Sequence, residues 1–287
     1  MSRIAYVNGT YVPHSEAVIH VEDRGYQFSD GVYEVAAVCR SRIIDEHGHL
    51  LRLKRSLNQL RMTMPMADGP FAMVCRETLR RNRVNDGILY IQVSRGVSRR
   101  DHPFPDGVEP TLVMTARAVP WPQDAHSDPG AQVVSVDDIR WLRRDIKSVS
   151  LLPNVLAKQE AREQGAYEAW LIDSDGFVTE GSSTNAWIVD AEGRIVTREL
   201  SHNILGGITR ATVIELARDN GIEVVERKFA LEEALASPEA FLTSTTSFVR
   251  GIVGIDGREI GNGTTGPVTC RLRGLYLEYC RGAGSNA

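Results

Sequence analysis

Residues 118–130, AVPWPQDAHSDPG, constrain this chain more than any other stretch. Three prolines and a glycine fall there, with no periodic apolar pattern. Proline fixes φ and lacks a backbone donor, so such a run continues neither a helix nor a sheet. It reads as a connection, and predicts a first domain over 1–119, a linker over 120–130 and a second domain over 131–287. Before it, residues 4–7 and 11–12 are strand-like around the turn Asn8-Gly9, and residues 31–38 are rich in strand formers. Leu50, Leu53, Leu57 and Leu60 recur at helical spacing, and Met73, Thr78 and Leu79 mark a second helix. Residues 88–93 and 111–114 are further strands. After it, residues 131–136 open with a strand. Helices are expected over 154–164, stopped by Gly165, and over 209–220, stopped by Gly221. Strands fall around 168–173 and 184–189. Strands and helices mix without regular βαβ repetition, which predicts α/β or α+β domains.

The 287 residues are ample for a buried core. At 42% hydrophobic with net charge -4, the chain is not intrinsically disordered. No apolar run approaches the ~18–20 residues of a membrane span. Residues 1–18 lack the basic and apolar segments of a signal peptide, so a cytoplasmic protein is expected. No long basic run recommends a nucleic-acid partner. Cys39, Cys75, Cys270 and Cys280 are widely spaced and form no C-x-x-C pair, which favours reduced thiols over a zinc or redox site.

Only four of the 33 basic Lys and Arg residues are lysines. Lys54, Lys158 and Lys228 lie among charged neighbours and read as solvated. Lys147 follows Trp141-Leu142 and precedes Val149-Ser150-Leu151-Leu152, an apolar stretch expected to be buried. Burial lowers a lysine's pKa and exposes a neutral amine suited to Schiff-base chemistry. An ion pair with Asp145 or a snorkelling side chain explains the same stretch equally well. Gly206-Gly207-Ile208-Thr209 opens a helix, where free N–H groups favour a phosphate. The alternative is an ordinary helix capped by Thr209. The spacing matches neither a Walker motif nor G-x-G-x-x-G. Thr243-Ser244-Thr245-Thr246-Ser247 offers five consecutive hydroxyls, either a phosphate site or a solvated turn. Glu180 lies in a turn between strands and gains meaning only if a buried base needs a carboxylate. Arg95 to Pro105 is a loop in which Arg and His can grip a carboxylate, or a surface basic loop. His47-Gly48-His49 lacks a surrounding ligand set and reads as a helix entry rather than a metal site. No G-x-S-x-G elbow argues for a serine hydrolase.

A lysine, two phosphate cradles and a lone glutamate together suggest pyridoxal phosphate. Six segments in order resemble the class IV aminotransferases, the fold-type IV group of pyridoxal phosphate enzymes. They are Glu22-Asp23-Arg24-Gly25-Tyr26-Gln27-Phe28-Ser29-Asp30-Gly31-Val32-Tyr33-Glu34, His49-x-x-Arg52-Leu53-x-x-Ser56, Asp145-Ile146-Lys147-Ser148, Thr179-Glu180-Gly181-Ser182-Ser183-Thr184-Asn185, Gly207-Ile208-Thr209-Arg210 and residues 243–247. The resemblance implies two α/β domains with the cofactor between them, and a homodimer. It makes Lys147 the Schiff-base residue and general base, and Glu180 the partner of the pyridine nitrogen. Arg52, Ile208, Thr209, Ser244 and Thr245 would hold the phosphate, with Leu205 against the ring. Arg100-x-His102 is similar to a pair in the D-amino acid branch of the family. That pair binds the substrate α-carboxylate together with Tyr33, and it enters from the neighbouring subunit. The implied reaction is D-alanine + 2-oxoglutarate = pyruvate + D-glutamate, with a broad range of D-amino acids. Branched-chain L-aminotransferases and aminodeoxychorismate lyases are the rival activities of the same fold. One departure is Gly206, where some D-amino acid enzymes carry a lysine.

Overall fold

The computed structural model describes residues 3–282 except Gln123 and Ala125. It divides into two compact units, Met1–Trp121 with Ile146–Ser150, and Pro122–Asp145 with Leu151–Ala287. The short segment 146–150 thus belongs to the first unit although it follows the proline-rich connection. A division drawn along the chain from composition has no way to register such a return.

The first unit contains β1 (Ile4–Val7), β2 (Thr10–Pro13), α1 (Arg24–Phe28), β3 (Gly31–Cys39), β4 (Arg42–Ile43), α2 (Glu46–Gln59), α3 (Asp68–Asn82), β5 (Gly87–Ser94) and β6 (Thr111–Ala118). Its strands form one antiparallel sheet in the order β2-β1-β6-β5-β3-β4. Strands β3 and β5 pair from Gly31↔Ser94 to Val38↔Gly87. Side chains alternate across a strand, so Leu89, Ile91 and Val93 turn to one face and Tyr90 and Gln92 to the other. The first set packs with Leu53 and Leu57 of α2 and with Phe71 and Leu79 of α3. Truncating Leu53 or Leu57, each 1% exposed, costs about 2–5 kcal/mol by cavity formation. The leucine stripe therefore marks the buried face of α2 as its spacing requires. Met73 does not follow this rule. It lies on α3 but is 70% exposed, because Phe71, Cys75 and Thr78 define the buried face instead.

The second unit contains β7 (Ala131–Asp137), α4 (Leu152–Glu163), β8 (Glu168–Ile172), β9 (Val178–Gly181), β10 (Asn185–Val189), β11 (Ile195–Thr197), α5 (Ile208–Asp219), β12 (Val224–Glu226), α6 (Leu231–Ala236), β13 (Glu239–Ser244), β14 (Phe248–Ile255), β15 (Arg258–Glu259) and α7 (Pro267–Gly282). Its sheet runs β12-β11-β10-β13-β14-β7-β8-β9, with β15 on β14. The pairs β11–β12, β14–β7 and β7–β8 are parallel and the rest antiparallel. Cores cover both faces of this sheet at β7 and β8, so apolar residues follow one another at Val133-Val134 and Ala169-Trp170-Leu171. Val134, Ala169 and Leu171 pack on Ala157 and Ala161 of α4. Val133 and Trp170 turn the other way, into a core with Ile188, Phe229 and Leu242. Helix α4 ends before Gly165 and α5 before Gly221, whose φ values of +73° and +71° suit a left-handed stop. Helix α7 starts over the buried Glu239, whose carboxylate accepts from the N–H groups of Val268 and Thr269 and from the Thr269 hydroxyl.

Candidate active site

Lys147 is placed by backbone pairing within the first unit. Its carbonyl accepts from the Tyr33 N–H at 3.0 Å, and Val149 N–H donates to the Gly31 carbonyl at 3.0 Å. The Ser56 hydroxyl accepts from the Lys147 N–H at 3.3 Å. Ile146 joins the apolar core beside α2, and Lys147, the next residue, sends its side chain over the Tyr33 ring, Nζ 4.2 Å from the centroid. No described carboxylate pairs with that ammonium. Asp145, the alternative counter-ion, pairs with Arg143 at 3.0 Å. The surrounding stretch is not buried throughout: Trp141 and Leu142 are 44% and 75% exposed, and Lys147 itself is half-buried. Burial is confined to Asp145, which pairs with Arg143, and to Ile146 and Ser148, where the chain pairs with β3. The other lysines have partners. Lys54 pairs with Asp68 at 2.6 Å, Lys228 lies over Phe177, and Lys158 binds the Tyr167 carbonyl and Glu168. Lys54 and Lys158 are thus half-buried rather than solvated, Lys158 because the turn after α4 brings β8 back beneath it. Tyr33 stacks on Tyr90, whose hydroxyl donates to Gln92 at 2.7 Å, and burial pushes the Tyr90 phenol up to about 12.

Strand alternation sends Glu34 to the opposite face from Tyr33, towards α2. There Arg52 donates to it through Nε at 2.8 Å and a terminal nitrogen at 2.7 Å, and His49 lies at 2.7 Å. Burial alone pushes this carboxyl up. The Arg52 charge and hydrogen bonds, with His49, outweigh burial and hold it at about 2. Glu34 thereby fixes the direction of the Arg52 guanidinium, with His49 one helical turn away on the same face.

Arg100 and His102 lie on the exposed loop before β6 and share one ring. The Arg100 guanidinium is 4.6 Å from the Phe28 centroid, and the His102 ring is 5.6 Å from it. Among the described residues, neither forms a hydrogen bond, ion pair or ring contact with Tyr33 or Lys147 of the same chain.

The second unit gathers around Glu180, at the end of β9. Its carboxylate accepts from Arg140 at 2.5 Å, from the Asn185 amide at 3.0 Å and from the Leu205 N–H at 3.2 Å. Arg140 is also clamped by Asp138 through two nitrogens, at 2.9 and 2.8 Å. Burial pushes the Glu180 carboxyl up; Arg140 opposes this without cancelling it, so the group stays raised and is a stronger proton acceptor. Arg140 is likewise raised: burial disfavours its charge, but Glu180 and Asp138 outweigh it. Asp138, Arg140 and Asn185 carry this arrangement. Asn185 closes segment 179–185, one of the six that carry the family resemblance, whereas Asp138 and Arg140 are signalled only by density of charge, Asp137-Asp138 and Arg140 followed by Arg143-Arg144-Asp145.

Helix α5 begins at Ile208 with Gly207, not Thr209, in the capping position, and no side chain caps it. Thr209 instead points inward, its hydroxyl 3.4 Å from that of Tyr276. The first N–H groups of α5 are therefore left for an external acceptor. A Cβ at Gly207 would meet Asn185 Oδ1 at 2.0 Å, whereas one at Gly206 would meet only Leu200 at 3.8 Å. In the turn after β13, Ser244 Oγ accepts from the Ser247 N–H at 3.0 Å, and Thr243 Oγ1 accepts from Trp187 Nε1 at 2.9 Å. An amine without a counter-ion among the described residues, an uncapped helix start and a buried carboxylate of raised basicity match the three polar handles of pyridoxal phosphate: aldehyde, phosphate and ring nitrogen. The residues present fit that cofactor.

The model of the family amino-transferase class IV matches residues 31–255. This chain belongs to that family. It is 38% identical to the D-alanine aminotransferase of Bacillus licheniformis over 262 residues, covering 91% of this chain and 92% of that one. It is 37% identical to the D-alanine aminotransferase of Staphylococcus aureus strain MSSA476, covering 96% of both. Among solved structures it resembles a T.th. branched-chain amino acid aminotransferase with pyridoxamine 5'-phosphate. The TM-score is 0.91 at 28% identity, covering 99% of this chain and 96% of that one. The class IV aminotransferase described here is accordingly a pyridoxal phosphate-dependent transaminase of the fold-type IV architecture. No described helix is long and apolar enough to cross a membrane.

Proposed function

We propose that this class IV aminotransferase moves the amino group of D-alanine and other D-amino acids to 2-oxoglutarate, giving pyruvate and D-glutamate. The observation that carries the D-amino acid assignment is the loop with Arg100 and His102, held on Phe28. The 37–38% identity to D-alanine aminotransferases supports it. Bound pyridoxal phosphate supplies an aldehyde carbon, C4′, and a ring that withdraws electrons from the substrate Cα. Lys147 would hold the cofactor through its side-chain amine, and the same amine, once free, would move the proton at the substrate Cα. With no described counter-ion, the amine is available for this task. Glu180, oriented by Arg140 and Asn185, would keep a proton on the ring nitrogen. The N–H groups of Ile208 and Thr209, the hydroxyls of Ser244 and Thr245, and Arg52 would hold the phosphate, with Leu205 on the ring side of the site. Tyr33 with Arg100 and His102 binds the α-carboxylate, the loop coming from the neighbouring subunit of a homodimer. Cytoplasmic residence belongs to the same reading.

The likeness to branched-chain aminotransferases favours a second reading, an L-enzyme with the same lysine and glutamate. A lyase acting on aminodeoxychorismate is the third. Borohydride reduction followed by peptide mapping should place the cofactor on Lys147, and pyruvate should form only when a 2-oxo acid acceptor is present. A tag on Lys54 or Lys158 contradicts the assignment of Lys147, and pyruvate release without an acceptor points to the lyase.

A further inference from the structure

The loop of Arg100 and His102 is exposed, yet its backbone is gripped by a buried side chain. Arg24, the first residue of α1, is 3% exposed. Its Nη1 donates to the Asp101 carbonyl at 2.6 Å and its Nη2 to the His102 carbonyl at 3.2 Å. Its Nε donates to Asp30 at 2.8 Å. The same guanidinium lies 4.7 Å from the Phe28 centroid, so Arg24, Arg100 and His102 all rest on one ring. Asp101 Oδ1 in turn accepts from the His102 N–H at 2.8 Å. Asp30 also binds Arg95 through two nitrogens, at 2.7 and 3.0 Å, and Arg95 lies 3.7 Å from the Phe104 centroid.

Planar guanidinium groups fix direction because their five N–H donors are rigid relative to one another. One edge of Arg24 faces two successive carbonyls of the loop, and its Nε is locked by a carboxylate. Arg100 and His102 flank Asp101 and project from the backbone that Arg24 holds. We infer that Arg24, locked by Asp30 and packed on Phe28, is the positioning residue that presents Arg100 and His102 to the substrate carboxylate. This inference rests on the reading of Arg100 and His102 as the carboxylate trap. Among the described residues, the Arg24 guanidinium bonds to the loop carbonyls and Asp30 and lies on Phe28. It acts through the loop, and its loss should weaken carboxylate recognition specifically.

The test measures D-alanine against D-alaninamide, which lacks the carboxylate, in single-turnover reactions of the holoenzyme. The preference for D-alanine, as a ratio of kcat/KM values, should collapse about ten- to hundredfold in Arg100→Ala. It should fall about tenfold in Arg24→Gln, chiefly through KM, because two loop hydrogen bonds from a charged donor are lost. Asp30 remains paired with Arg95 in that variant. Phe28→Leu removes the shared ring and should lower the ratio about three- to tenfold, which decides the matter if Arg24→Gln does not fold. Calorimetric titration with propionate, which carries a carboxylate and does not react, should show the same weakening in Arg24→Gln. An unchanged ratio and propionate affinity in Arg24→Gln and Phe28→Leu, with the ratio collapsed in Arg100→Ala, overturns the inference alone. An unchanged ratio in Arg100→Ala overturns the carboxylate reading and this inference with it.

Discussion

Arg140→Gln tests the charge arrangement around Glu180 most severely. Among the described residues, the substitution removes the only guanidinium bonded to Glu180 and the bidentate partner of Asp138. The three side chains are 8%, 5% and 0% exposed in the order Arg140, Glu180, Asp138. Breaking such a pair costs about 3–5 kcal/mol, because a buried charge loses its compensation. Here Asp138 keeps Arg144 at 3.3 Å and the Thr179 hydroxyl at 2.8 Å, while Glu180 keeps Asn185 and the Leu205 N–H. The expected loss is therefore near the lower limit, about 3 kcal/mol, or a fall in Tm of roughly 6–12 °C for a unit of this size. Glu180→Gln removes the same attraction from the other side. A double-mutant cycle read by scanning calorimetry should give a coupling of about 2 kcal/mol between the two. Glu180 should also become protonated in Arg140→Gln, since burial already raises it and its opposing cation is gone. A protonated carboxyl no longer accepts the ring proton, and kcat should fall with it. Single losses below about 1 kcal/mol that simply add would refute the reasoning, and would mean that water or local rearrangement compensates both carboxylates.

Glu34 makes stability depend on acid. Its folded pKa of about 2 lies below its ordinary 4.5, so its contribution is complete above pH 4.5 and is lost as pH falls towards 2. About 3 kcal/mol is at stake, and Glu34→Gln should flatten that limb of the stability–pH curve; an unchanged limb would mean that other carboxylates control it. Gly207→Ala should weaken pyridoxal phosphate binding about tenfold or more, by driving Asn185 off Glu180 and Leu205, whereas Gly206→Ala should bind normally. Spectroscopic titration of apoenzyme with cofactor separates the two, and equal affinities would argue against the proposed cradle. Leu53→Ala should lower stability by about 2–5 kcal/mol in denaturant unfolding, whereas exposed Met73→Ala should change it by less than about 0.5 kcal/mol.

Local periodicity carried much of the fold. The stripe of Leu50, Leu53 and Leu57 follows from the helical repeat and residues 88–93 were legible as a strand, but not the half-burial of Ile88, Tyr90 and Gln92, which the sheet's alternation imposes. The exposure of Met73 was not legible, because Met fits either face of a helix and only the neighbouring sheet decides. Lys147 stood out by context, but its membership of the first unit depends on pairing with β3, more than a hundred positions earlier. The same holds for the side chains that orient the candidate site. Arg140 reaches Glu180 across 40 positions and Arg24 reaches His102 across 78. Such partners share no local pattern, and a charged residue in a loop looks solvated until the fold returns a carboxylate or a carbonyl to it.

The measurement that bears most directly on the central claim is a panel of D- and L-amino acids with 2-oxoglutarate, its products resolved by chiral chromatography. The account predicts D-glutamate with D-alanine as donor, several other D-amino acids accepted, and no turnover of L-leucine or L-valine. L-glutamate formed from branched-chain L-amino acids, with D-alanine inert, would contradict it and assign the site to the branched-chain chemistry of its structural relatives.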